Sequence, residues 1–244
     1  MAQIAIVTGG SHGFGRAVSV ALVREGWTVL VDGRDAAALE AAVAATGALA
    51  VPGDLNDAAH RAELVARAAD LGGLDLLVNS AGTLGPSPLP KLGGYPLDAL
   101  REVLETNVVA QLGLVQAALP LLREAAGAVV NITSDAAVEA YEGWGGYGAS
   151  KAALEQMSRV LAAEEPAVRV WWADPGDMRT RMHQDAFPGE DIGDRPGPDE
   201  VAPALVELVA TRPPSGRIAL RGLLPPAGSV RHEDERHEMA GDQR

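Results

Sequence analysis

The chain has 244 residues, 47% of them apolar, enough for one self-sufficient core with no disulfide or metal staple. It contains no cysteine, which excludes disulfides, thiolate metal sites and cysteine nucleophiles. Thirty-three acidic against twenty basic side chains leave a formal charge of −13, which repels nucleic acid and anionic membrane surfaces.

The chain starts Met-Ala-Gln-Ile-Ala-Ile-Val-Thr-Gly, without the basic flank of a secretory signal, and no apolar run reaches the length of about 18 residues that spans a bilayer. The cytoplasm is therefore the expected compartment. Residues 3 to 8 read as a buried parallel strand that ends in a glycine-rich turn, Thr8-Gly9-Gly10-Ser11-His12-Gly13-Phe14-Gly15. A helix follows over 16–25 and a second strand over 27–31. Glycines at such a turn let the backbone approach a pyrophosphate, whose charge the N–H groups at the next helix's start stabilise.

The alternation continues along the chain. A strand over 49–51 precedes a helix over about 57–71, and Leu74 to Asn79 form a fourth strand. A long helix runs over about 97–124, a fifth strand over 128–133 and a helix over about 146–163. The sixth strand covers 168–173, a last helix 199–211 and a short seventh strand 217–220. Strands separated by helices require right-handed crossovers. The expected fold is one doubly wound, Rossmann-type α/β domain over 1–230, with a seven-stranded, mostly parallel sheet covered on both faces. Its ligands bind outside the carboxyl ends of the strands. Residues 181–198 are rich in Gly, Pro and charge and read as a long loop or lid. Residues 231–244, with eight Asp, Glu or Arg among fourteen, read as a solvated, disordered tail.

The glycine turn with Gly9, Gly13 and Gly15, the stretch Asn79-Ser80-Ala81-Gly82, Asn107 in the long helix, and Ser134 thirteen residues before Tyr147-Gly-Ala-Ser-Lys151 follow one another along the chain. By these motifs, with one substitution in the stretch 79–82, the chain resembles the short-chain dehydrogenase/reductase family from Ile4 to about Leu220. The resemblance implies a nicotinamide dinucleotide held by Gly9, Ser11, His12, Gly13, Phe14, Gly15, Arg34, Asp54, Leu55, Asn79, Ala81, Gly82, Tyr147, Lys151, Pro175, Gly176, Met178 and Thr180. It implies catalysis by Asn107, Ser134, Tyr147 and Lys151, with Lys151 holding the nicotinamide ribose and Asn107 ordering a water that relays protons. It also implies assembly as a homodimer or homotetramer. The substrate would be a small carbonyl or alcohol.

The chemistry follows from the residues. Tyr147 and Lys151 stand four apart on one helix face, and an ammonium beside a phenol lowers the phenol's pKa from about 10. Tyr147 then serves as general acid or base. Ser134 at a strand end can stabilise the oxygen on which negative charge grows as hydride adds. Asp54 could instead cap the helix that starts near Asp57.

The cofactor is decided after the second strand, at Val31-Asp32-Gly33-Arg34-Asp35. Gly33 falls where NAD-preferring relatives carry an acid, and Arg34 can bind a 2′-phosphate bidentately. His12 adds a weaker contact. This predicts NADP(H), with NAD(H) the alternative should Asp32 turn towards the ribose. Asp135, Glu139, Tyr141, Glu142 and Trp144 are candidate pocket residues, and Met178, Arg179, Arg181, Met182, His183 and Phe187 a candidate lid. The five histidines lack metal-ligand spacing. Two other readings use the same residues: a dinucleotide-dependent epimerase or lyase, and a nucleotide sensor without turnover.

Overall fold

The computed structural model describes residues 2–44 and 46–224. Among them, seven strands form one sheet: β1 (Ile4–Val7), β2 (Thr28–Gly33), β3 (Leu49–Pro52), β4 (Leu76–Asn79), β5 (Ala128–Ile132), β6 (Arg169–Asp174) and β7 (Gly216–Ala219). Their spatial order is β3-β2-β1-β4-β5-β6-β7 and every neighbouring pair is parallel. No antiparallel pairing occurs among the described residues, so the sheet is more uniform than the expected mostly parallel one.

Among the described residues, eight α-helices accompany the strands: α1 (Gly13–Arg24), α2 (Ala36–Val43), α3 (Ala58–Leu71), α4 (Leu97–Leu104), α5 (Ala110–Glu124), α6 (Gly145–Glu164), α7 (Arg181–Ala186) and α8 (Pro198–Thr211). Strand side chains alternate between the faces. On one face Ala5, Val7, Val29, Val31, Val78 and Val130 pack with Val18 and Leu22 of α1, Leu39 of α2 and Leu205 and Leu208 of α8. On the other, Ile4, Ile6, Leu30, Leu77 and Val129 pack with Leu64 of α3 and Leu114 and Leu122 of α5. Each fully buried Leu or Ile contributes roughly 1.5 to 3 kcal/mol. Strand order reverses between β1 and β4, which pair with each other at Ala5 and Leu76, so a crevice opens at their carboxyl ends.

Three elements depart from the sequence reading. Helix α2 lies in the Ala-rich stretch after β2, where Asp35 caps it by accepting from Ala38 N at 3.0 Å. The long helix splits into α4 and α5 around a π turn at Glu105–Val109, a single wide turn of the kind found at functional sites. The 181–198 segment opens with α7, capped by Thr180 Oγ1, which accepts from His183 N at 3.2 Å. Hydrophobic periodicity is weak over six or eight residues, whereas the cap is a specific contact. The charged stretch 231–244 lies outside the described residues. No described helix is long and apolar enough to cross a membrane.

Candidate active site

A cleft of about 380 Å³ runs along the carboxyl ends of the strands. At one end, Thr8 ties β1 to β4: its N donates to Val78 O at 2.9 Å and its Oγ1 accepts from Ser80 N at 3.0 Å and Ala81 N at 2.9 Å. This fixes the distance between the glycine turn and Ala81-Gly82. Gly9 has φ +70°, and a Cβ there would lie 2.9 Å from Ala81 Cα, so only glycine fits. At Gly15 a Cβ would lie 2.5 Å from Gly9 O. The first turn of α1 carries no side-chain cap and no acid. Its N–H groups therefore remain as donors for an anion at the turn, which fits a pyrophosphate.

Asp32 lines the cleft, but its carboxylate is already engaged. It is buried, its Oδ1 accepting from Gly9 N at 2.7 Å and its Oδ2 lying 3.5 Å from Nε2 of buried His60. His60 in turn packs on Gly53, where a Cβ would sit 2.1 Å from its ring. Asp35 is occupied as the cap of α2. Arg34 is exposed, lines the cleft and forms no ion pair among the described residues, so this positive charge is free for a phosphate. Asp54 also lines the cleft. The cap of α3 is Asp57, which accepts from Ala59 N at 2.9 Å, while Asp54 Oδ1 accepts from Asn56 N at 3.0 Å.

At the other end, β5 finishes at Ile132, and Ser134 lies two residues beyond it as the cap of a 3₁₀ turn. Ser134 Oγ donates to Asp135 Oδ1 at 2.9 Å and accepts from Ala136 N at 3.2 Å. Tyr147 and Lys151 both line the cleft from the first half of α6 and are both buried. Lys151 Nζ donates to Ile132 O at 2.8 Å and lies 5.5 Å from the centre of the Tyr147 ring. Trp144 meets that ring edge-on at 5.7 Å, and Phe187 lies tilted against Trp144 at 5.9 Å.

Of the twenty residues expected at the site, eighteen line this one cleft; Asn79 and Asn107 do not. Asn79 is fully buried behind the strand ends, its Nδ2 donating to Asn131 Oδ1 at 2.8 Å. Asn107 sits in the π turn, where its Oδ1 accepts from Thr83 N at 2.8 Å and its Nδ2 donates to Thr83 O at 2.9 Å and Ser150 Oγ at 3.0 Å. It clamps the segment after β4 onto α6 at Ser150, the residue before Lys151.

Comparison with known proteins places this arrangement. The sequence pattern of the family described as short chain dehydrogenase matches residues 3–191. A 3-oxoacyl-acyl-carrier-protein reductase of rhamnolipid biosynthesis from Pseudomonas aeruginosa is 38% identical over 193 residues, covering 74% of each chain. A serine 3-dehydrogenase from Rhizobium radiobacter is 35% identical over 188 residues, covering 75% of this chain and 74% of that one. Among solved structures, a putative short chain dehydrogenase from Escherichia coli CFT073, complexed with NADPH, superposes with a TM-score of 0.83 at 31% identity. That match covers 90% of this chain and 96% of the other. The chain belongs to the short chain dehydrogenase family. It is an oxidoreductase of the NAD(P)-dependent class.

In this short chain dehydrogenase the phenol does not behave as the helix spacing alone predicts. Burial first, then the charges of Asp174 and Asp135, push the Tyr147 hydroxyl well above the ordinary range for tyrosine. Burial lowers Lys151 to about 8. The four-residue spacing brings ammonium and phenolate together, but burial strips both of water, which penalises both charged forms.

The expected pocket residues divide. Asp135 and Trp144 line the cleft, whereas Glu139, Tyr141 and Glu142 do not. Tyr141 donates to Asp135 Oδ2 at 3.0 Å, and Glu142 pairs with Lys91 at 2.7 Å on the surface. Of the expected lid, Met178, Arg181, Met182 and His183 line the cleft, while Arg179 donates to Gly193 O at 3.2 Å and anchors the following loop. Four contributors escaped the sequence reading. Gln111 donates to Ala81 O at 2.7 Å, His60 lies against Asp32, and Arg217 donates to Asp174 Oδ2 at 2.9 Å. Their partners are remote in the chain, so no local pattern marks them.

Proposed function

We propose that the protein reduces small carbonyl compounds, or oxidises the matching alcohols, with NADP(H). The observation that carries this reading is the burial of Tyr147 and Lys151 beside Ser134 in the same cleft whose other end holds the free guanidinium of Arg34. The NADPH complex of the E. coli structure supports the choice of cofactor. When bound, the dinucleotide supplies the hydride.

The chain's own part is proton and charge management. The glycine turn and the uncapped start of α1 take the pyrophosphate, Arg34 and His12 the 2′-phosphate end, and Asp54 and Leu55 the adenine. Ala81, Gly82, Pro175, Gly176, Met178 and Thr180 surround the nicotinamide end. A phenol held protonated by burial is a ready proton donor to a substrate oxygen that is becoming an alkoxide. Ser134 Oγ gives that oxygen a second donor once its proton turns away from Asp135. Lys151 holds the ribose and restrains the phenolate when it forms. Asn107 orders the water that returns the proton from solvent. The two long helices α5 and α6, with Val109 exposed just before α5 and Val160 exposed on α6, would pair with another copy to give a homodimer or homotetramer.

The test is an absorbance assay of reduced nicotinamide against a panel of ketones, aldehydes and alcohols. NADPH-dependent turnover that Tyr147→Phe abolishes is expected. Turnover of substrate without change in the reduced-nicotinamide band would instead favour an epimerase or lyase.

A further inference from the structure

We infer that Arg217 is a positioning residue for proton transfer: it grips the main chain of Ser134 and cancels the charge of Asp174, and through these contacts tunes the acidity of Tyr147. This inference rests on the acid/base role proposed above for Tyr147.

Arg217 stands on the edge strand β7, in register with Trp172 of β6, so its side chain lies on the face shared with Trp172 and Asp174. Its Nε donates to Glu155 Oε1 at 2.9 Å, and its Nη2 donates to Asp174 Oδ2 at 2.9 Å and to Ser134 O at 3.3 Å. One planar guanidinium thus joins α6, the end of β6 and the residue that donates to the substrate oxygen. Glu155 is 3% exposed and also accepts from Thr133 Oγ1 at 2.9 Å, with Arg159 3.6 Å away on the outer side. The other oxygen of Asp174 accepts from Gly176 N at 2.9 Å. The carboxylate that Arg217 holds therefore also sets the Pro175-Gly176 turn on the cleft.

Charge bookkeeping makes the consequence specific. The charged and titratable groups that line the phenol's end of the cleft are Lys151 on α6, Asp135 after β5, Asp174 at the end of β6, and Asp177, Arg181 and His183 beyond it. Asp174 opposes the phenolate, and Asp135 does so less. Arg217 is the cation bonded to Asp174, so its removal leaves that carboxylate half-buried and unopposed beside Tyr147. A role limited to packing would lower stability or turnover and leave the acidity of the phenol where it was.

The experiment is the pH dependence of kcat/KM for oxidation of the best alcohol of the panel with NADP+, in which activity rises as the Tyr147 proton is lost. Arg217→Met should move the rising limb to higher pH by about one unit, the low end of what a close charge does. Asp174→Asn should move it to lower pH, and the double variant should return close to the wild type. A lowered kcat with the limb in place, or a double variant no nearer the wild type than Arg217→Met, overturns the inference. Should Arg217→Met not fold, Asp174→Asn decides alone: a limb that does not move down overturns it. The Cζ resonance of ¹³C-labelled tyrosine in the NADP+-loaded protein, assigned by Tyr147→Phe, follows the same proton without turnover. Displaced resonances with full activity in Tyr147→Phe would sink the acid/base reading and leave the charge coupling standing.

Discussion

In its proposed role, Lys151 would serve the chemistry at the expense of the fold. Its folded pKa of about 8 lies below the value of about 10.4 in an unfolded chain. The unfolded state therefore binds more protons between those values, so stability is reduced below pH 8 and recovers as pH rises towards 10. The penalty is on the order of 3 kcal/mol at neutral pH, partly offset by about 1 to 2 kcal/mol for the bond to Ile132 O. Lys151→Met is expected to lose activity yet be more stable by about 1 to 2 kcal/mol at pH 7. Denaturant unfolding from pH 6 to 10 checks this: the advantage should shrink above pH 8, and a constant difference would count against burial as its cause. Arg34 gives a second test at this scale. Losing a charge-assisted bond to a phosphate costs roughly 1.5 to 3 kcal/mol, so Arg34→Leu should raise the KM for NADPH about 10- to 100-fold and leave NADH nearly unchanged. Equal losses with both cofactors would place the guanidinium away from the 2′ position.

At the scale of elements, the π turn between α4 and α5 is the feature that sequence periodicity hides. An apolar repeat reads the same through a helix whether or not one turn is widened, and only the buried bonds of Asn107 reveal the turn's purpose. Asn107→Ala removes three bonds and leaves the N–H and C=O of Thr83 without their partner. The expected cost is about 2 to 4 kcal/mol, seen as a fall in Tm of roughly 5 to 15 °C for a chain of this size. A smaller fall would mean that water replaces the amide there. The glycine turn was legible for the opposite reason. Its constraint is local: Gly9 needs a left-handed backbone and Gly15 a contact with Gly9 O, and glycine is the residue that meets both.

For the whole molecule, the cleft spans from Arg34 after β2 to His183 on α7, so a cofactor seated along it would bridge both halves of the sheet. A ligand that binds only the folded state at about 100 times its Kd stabilises by about 2.7 kcal/mol. NADPH at that excess should therefore raise Tm by roughly 5 to 10 °C, with a smaller rise for NADH at the same concentration. The reverse order would overturn the NADP(H) assignment.

The sequence by itself determined the alternation of strands and helices, the glycine turn, and the helix that carries Tyr147 and Lys151 four residues apart. Each of these is written in spacing along the chain, where steric and periodic constraints act between near neighbours. Tertiary structure alone decided that Asp32 is held by Gly9 and His60, that Asn79 serves Asn131, and that Arg217 reaches Glu155 and Asp174 across 62 and 43 positions. It also decided that Tyr147 rises in pKa, because desolvation depends on what the sheet and neighbouring elements pile around a side chain, and no local spacing records that.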